Sequence, residues 1–256
     1  MKSHRNDLPL ILLGILTIFF SCSSKDEHTF TEKHWKAKVE QTQTGDLYQP
    51  HIKDGRFFSP WMKMGDKSFL QVLKWKLFDR SEFTKEEKEF LPGFVPSAAE
   101  RIAAFNGDFI LWIGHNTFLI RINSTYWLTD PIFSERALLP KRVTPPAMSA
   151  REVADIAKGN LTIIISHNHY DHLDCASVKE LPESARVFVP RGLKNYVKKM
   201  NKPDTREMDW WESREIETGF RLICLPAQHW SMRIDQGRNR SLWASWLLIT
   251  PSATFY

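Results

Sequence analysis

Three histidines and an aspartate fall within the six residues His167-Asn168-His169-Tyr170-Asp171-His172, directly after the uncharged run Leu161 to Ile165. That run has the length and β-branched content of a strand buried on both faces. Alternate residues at the end of a strand project to the same side, so His167 and His169 can grip one cation together. The chain then turns, and Asp171 and His172 present a carboxylate and an imidazole to a neighbouring position. Nitrogen and oxygen ligands without thiolate suit zinc, with manganese or iron as alternatives. Two adjacent cations sharing one water would lower its pKa and hold it as a nucleophile near neutral pH. A polar loop with fortuitous histidines is a poor account of this spacing.

The surrounding sequence gives the cluster a scaffold. Phe109 to Ile113, Phe118 to Ile122 and Tyr126 to Thr129 are short apolar runs separated by Gly114-His115-Asn116 and Asn123-Ser124, which predicts strand–turn–strand with Asp130-Pro131 ending the third. His115 reads either as a residue lining the cleft or as a plain turn residue. Helices are expected at Ser97 to Phe105, Ala150 to Ala157, Ala176 to Leu181 and Gly192 to Met200, and strands at Val187 to Val189, Phe220 to Leu225 and Leu242 to Ile249. Strands and helices interleave, so the fold class is layered α/β. Upstream, Ser68 to Phe78 has helical apolar spacing.

At 256 residues the chain builds one sizeable core rather than two full domains. Basic residues outnumber acidic ones by five but are scattered, so no nucleic-acid partner is expected, while anionic phospholipid headgroups would suit such a surface. Most of the ten tryptophans are expected in the core. The three cysteines, Cys22, Cys175 and Cys224, form no CxxC pair, which speaks against a disulfide framework or a thiolate metal site.

The N-terminus reads as an address. Lys2 and Arg5 precede the apolar run Leu8 to Phe20, too short for a finished membrane span, and Phe19-Phe20-Ser21-Cys22 closes it. The pattern resembles a bacterial lipoprotein signal. That resemblance implies cleavage before Cys22, acylation of Cys22, and a lipoprotein anchored to a membrane of the bacterial cell envelope. The expected organisation is residues 1–21 signal peptide, 22–49 polar tether, 50–106 N-terminal extension and 107–256 catalytic domain.

The His-x-His-x-Asp-His pattern resembles the signature of the metallo-β-lactamase fold, an αββα sandwich with its metals at the sheet edge. Trp112 to Phe118, Thr129 to Ser134, Ser166 to Asp174, Leu225 to Ser231 with its Gln228-His229-Trp230, and Leu242 to Trp246 are similar to one branch, the N-acyl-phosphatidylethanolamine-hydrolysing phospholipase D family and its bacterial relatives. The resemblance implies that His167, His169 and His229 hold a first zinc, and that Asp171 and His172 hold a second and take part in catalysis. Asp130 would orient a ligand imidazole from beneath the metal loop. Asp174 is read as a similar support or as a helix N-cap.

The same resemblance implies a Gly-Asp pair and a later histidine beyond Tyr256, together with further strands and a helix. The fold is therefore expected to lack its C-terminal strands and helix. The expected activity is hydrolysis of N-acyl-phosphatidylethanolamine to phosphatidic acid and an N-acylethanolamine. The alternatives are a related hydrolase acting on a lactone, a sugar phosphate or another phosphodiester, and an inactive membrane-anchored fragment.

Overall fold

A computed structural model describes residues 32–61, 84–90, 93 and 95–256. The expected signal segment with Cys22, and the helix expected at Ser68 to Phe78, lie outside the described residues. Two compact units are distinguished, one of residues 1–42 and 64–79, the other of 43–63 and 80–256. In the first, α1 (Glu32–Gln41) forms within the stretch read above as a polar tether. It carries no apolar stripe of core spacing, which is why the sequence did not betray it.

The second unit carries both large sheets. A 3-10 turn (Thr44–Tyr48) leads to a small hairpin, β1 (Ile52–Lys53) and β2 (Arg56–Phe57), then to α2 (Lys85–Glu89) and α3 (Ala98–Ala103). The strands β3 (Phe109–Gly114), β4 (Thr117–Ile122) and β5 (Thr125–Thr129) follow as an antiparallel meander. Helices then alternate with parallel strands: α4 (Ala150–Ala157), β6 (Leu161–Ile164), α5 (Cys175–Glu180), β7 (Arg186–Pro190), α6 (Lys194–Lys198) and β8 (Thr205–Met208). Together β3 to β8 make one six-stranded mixed sheet in sequence order. The remaining strands are β9 (Ser213–Glu217), β10 (Phe220–Leu225), the pair β11 (Met232–Arg233) and β12 (Gly237–Arg238), β13 (Ser245–Ile249) and β14 (Thr254–Phe255). A four-stranded antiparallel sheet has the order β14-β13-β10-β9.

The period-2 alternation of strand side chains builds two cores from one sheet. Ile163, Ile165, Val187 and Val189 face a helical layer that contributes Val153, Ala157, Val178 and Val197. Their neighbours Ile164 and Phe188, with Trp127, face the other way into Phe220, Leu222, Cys224, Trp243 and Leu248 of the second sheet. Helix, sheet and sheet are thus stacked in layers, which is the α/β sandwich expected. Trp127, Trp210 and Trp243 are buried in the inter-sheet core and Trp61, Trp211 and Trp246 pack against it, whereas Trp112 is exposed. Among the described residues, Cys175 and Cys224 are both free thiols.

Helix α4 begins where expected because Ser149 and Glu152 form a reciprocal capping box. The strand expected over Leu242 to Ile249 begins only at Ser245. Its first residues are spent elsewhere: Leu242 N donates to Arg191 O, and Ala244 N donates to Ser166 O, which clamps this segment against the start of the His-rich loop.

Candidate metal centre

The His-rich loop starts where β6 leaves the sheet. Ile165 N still donates to Phe188 O of β7, but from Ser166 onward the backbone turns out of the ladder. His172 N and Leu173 N both donate to His169 O, closing a tight turn that folds Asp171 and His172 back beside His167. The loop following β10 delivers His229 from the opposite sheet.

Three imidazole nitrogens meet there. His167 Nε2 is 2.8 Å from His169 Nδ1, and His229 Nε2 is 3.0 Å from the former and 3.3 Å from the latter. Each ring nitrogen carries either a hydrogen or a lone pair, so at least two of the three are alike and repel one another. A cation receiving three lone pairs removes that conflict, and the donor set fits zinc or another borderline metal. Electrostatics agree. Burial first, then His172, His229 and His169, holds His167 far below its ordinary range. Burial and His229 push His169 down to about 4, and burial followed by His172 also lowers His229. All three rings are neutral at neutral pH, as metal ligation requires.

A second group adjoins the first, with the His167 and His172 ring centroids 4.1 Å apart. His115 Nε2 lies 3.1 Å from Asp171 Oδ2, and His172 Nε2 lies 3.6 Å from the same oxygen. Asp130 Oδ2 is 2.8 Å from His172 Nδ1 and accepts a hydrogen bond from it, so the Nε2 lone pair is left facing the group. Burial opposes protonation of His172, but the hydrogen bond and charge of Asp130 and the charge of Asp171 outweigh it, and its pKa is raised. Asp130 also accepts from Ser166 N and Ser166 Oγ, both at 2.6 Å, and Ser166 Oγ lies 2.9 Å from His167 Nδ1. One buried carboxylate thereby orients both groups. His115 and Asp130 hold left-handed backbone angles, φ 53° and 33°, of the kind that concentrates at functional sites.

Asp174 does not support an imidazole. It caps α5, accepting from Ala176 N and Ser177 N and from the hydroxyls of Ser134 and Ser177. Of the two readings of this residue the cap holds, because the carboxylate is used up by the helix N-terminus. For His115, the structure favours the cleft over the plain turn.

Sequence reasoning missed Arg233. Its guanidinium, 5% exposed, donates to Asn168 O at 2.9 Å and Leu173 O at 2.7 Å, the two ends of the His-rich loop. It also stacks 4.1 Å from the Tyr170 ring. Asn168 Oδ1 accepts from Met232 N at 2.8 Å, and its amide donates to Gln236 Oε1 at the same distance. The β11–β12 hairpin is thus a buttress for the loop. An isolated arginine before a Gly-containing turn carries no such signal in sequence.

Residues 125–256 match the family model described as the beta-lactamase superfamily domain. The chain belongs to the beta-lactamase superfamily. The matched region contains Asp130, the His-rich loop, Arg233 and His229; His115 precedes it. N-acyl-phosphatidylethanolamine-hydrolyzing phospholipase D 1 of Caenorhabditis elegans is 34% identical over 225 residues, covering 80% of this chain and 62% of that protein. The mitochondrial N-acyl-phosphatidylethanolamine-hydrolyzing phospholipase D of Saccharomyces cerevisiae is 33% identical over 146 residues, covering 54% of this chain and 30% of that protein. The chain therefore spans less than two thirds of either relative. Among solved structures, a possible metal-dependent hydrolase of Veillonella parvula aligns with TM-score 0.46 at 17% identity, covering 58% of this chain and 60% of that one.

Proposed function

We propose that this superfamily member is a metal-dependent phosphodiesterase that hydrolyses N-acyl-phosphatidylethanolamine to phosphatidic acid and N-acylethanolamine. The observation that carries the reading is the convergence of three neutral imidazole nitrogens from two sheets on one point, in a chain whose similar proteins include two named for that reaction. His167, His169 and His229 would hold a first cation, and Asp171 and His172, with His115 beside them, a second. Zinc is the proposed metal, with manganese or iron as alternatives. A bound cation supplies Lewis-acid charge that stabilises the non-bridging phosphate oxygens and acidifies water.

The chain's own residues supply the rest. Asp130 keeps a proton on His172 Nδ1 and so presents the Nε2 lone pair inward. Asp171 turns Oδ2 toward His115 and His172, which leaves its other carboxylate oxygen to accept a proton from the attacking water. The new P–O bond forms in line as the bond to the ethanolamine oxygen breaks, and that oxygen takes a proton as it leaves. Trp230 packs its ring 4.4 Å from His169 and shields that imidazole from bulk solvent. A shallow groove of about 280 Å³, lined by Leu47, Trp61, Trp211, Leu225 and Tyr256, opens beside Gln228, the residue before His229, and its apolar walls suit an acyl chain.

Acylation of Cys22, and with it a place in a bacterial cell envelope, is part of the same proposal. The test is hydrolysis of N-acyl-phosphatidylethanolamine by the metal-loaded chain, beside a panel of lactones, sugar phosphates and soluble phosphodiesters. Release of N-acylethanolamine that disappears in His169→Ala supports the reading. Turnover confined to a soluble ester, or turnover surviving in His169→Ala, overturns it.

A further inference from the structure

Two short hairpins flank the site, and both carry bulky apolar side chains outward. The first spans Glu135 to Arg142. Arg142 N donates to Glu135 O, Ala137 N donates to Pro140 O, and Arg136 bridges to Lys141, which makes it a tight turn. At its tip Leu138 holds φ 62°, a costly conformation for leucine, and neither Leu138 nor Leu139 finds a core; Leu139 is 77% exposed. Arg136 Nη1 donates to Leu139 O at 2.8 Å and rigidifies that tip. Val143, just past the base, is 81% exposed. The hairpin stands next to the site: Arg142 packs against Gly114, where a Cβ would lie 3.2 Å from Nη2, and Ala147 N donates to Ile113 O. Gly114 directly precedes His115.

The second hairpin is β11–β12, whose Ile234 is 79% exposed beside a half-exposed Met232. It too is fastened to the site, because Ile234 N donates to the Tyr170 hydroxyl and Arg233 holds the His-rich loop. A soluble protein gains nothing by displaying leucine, valine and isoleucine on rigid turns beside a polar cluster.

Charge identifies the occupant. Arg136 and Lys141 flank the first tip, where Glu135 is the nearby acid, 3.4 Å from Lys141, while Arg142 is turned inward against Gly114. Asp235 sits beside Ile234, and Arg238 and Arg240 follow it. Apolar tips in a basic collar match the interface of an anionic bilayer, where apolar side chains enter the acyl boundary and cations meet headgroups.

We infer that the Leu138–Leu139 and Ile234 hairpins form a docking rim that seats the metal cluster on an anionic phospholipid surface. The inference rests on the lipid-substrate reading for its purpose, but not for its test. The chain carrying Cys22→Ser and freed of residues 1–21, so that neither the apolar run Leu8 to Phe20 nor the proposed acyl anchor remains, is mixed with phosphatidylcholine vesicles with and without phosphatidylglycerol, and bound protein is measured by flotation. Binding to the anionic vesicles that weakens with salt is expected. Leu138→Asp combined with Leu139→Asp is expected to weaken it at least tenfold, and Ile234→Asp several-fold. Neither change should alter the melting temperature or turnover of bis(p-nitrophenyl) phosphate, a soluble phosphodiester.

Binding of the double variant within about twofold of its parent overturns the inference, as does failure of the Cys22→Ser chain to bind anionic vesicles. So does a dimer in sedimentation that Leu139→Asp dissolves, since a second copy would then cover the tips. Vesicle binding that depends on Leu138 and Leu139 in a chain with no phosphodiesterase turnover leaves the rim standing and defeats the proposed reaction.

Discussion

Asp130 illustrates how one side chain serves two neighbours. The residue is 7% exposed, and its carboxylate takes hydrogen bonds from Ser166 and His172. Replacing it by alanine leaves His172 free to rotate and to change tautomer, so metal affinity is expected to fall about 10- to 100-fold with little change in fold. Titration of the Asp130→Ala chain against zinc in a competing chelator checks this; unchanged affinity would contradict the role. The imidazoles also make a pH prediction for the metal-free protein. His167, His169 and His229 titrate lower in the folded chain than their ordinary 6.5, with His169 near 4, so the unfolded chain binds more protons below 6.5. Stability should therefore fall as pH drops through that window. His172 shifts the opposite way and offsets part of the effect. The urea midpoint in chelator is expected to be lower at about pH 5 than at about pH 7, and the difference to shrink in His169→Ala.

At the scale of elements, the β11–β12 hairpin is worth more than its four paired residues suggest. Arg233→Met keeps much of the side-chain volume but orphans the carbonyls of Asn168 and Leu173, and loss of two charge-assisted hydrogen bonds should cost about 3 kcal/mol. Chemical denaturation measures that cost. Weaker metal binding in the still-folded variant would show that the hairpin also sets loop geometry.

Legibility in the sequence follows the same physics. The meander β3–β5, helix α4 and strand β10 were readable because apolar period and turn residues agreed with the final packing. Strands β8 and β9 were not, since Thr205-Arg206-Glu207-Met208 and Ser213-Arg214-Glu215 owe their strand state to pairing partners, not to apolar alternation. The ligand loop was legible from its spacing alone. His229 was legible only through resemblance, and Arg233 not at all, because its meaning lies in two carbonyls some sixty positions away.

For the whole molecule, the two sheets are joined at the metal cluster by contacts that a cation would complete. His167 and His169 leave β6 of one sheet, and His229 follows β10 of the other, so a shared ion links the layers. Metal binding to the folded chain alone stabilises it by mass action, by about 2.7 kcal/mol at a free concentration one hundred times Kd. The melting temperature should rise with added zinc, return on chelation, and respond weakly in His229→Ala. Equal zinc responses in the wild-type and His229→Ala chains would place the stabilising ion elsewhere.

The most direct test of the metal centre is anomalous X-ray scattering from crystals grown with zinc, with data on both sides of the zinc edge. A peak is expected about 2.0–2.1 Å from His167 Nε2, His169 Nδ1 and His229 Nε2 together. No peak among those three nitrogens, or zinc bound only at surface residues, would contradict it.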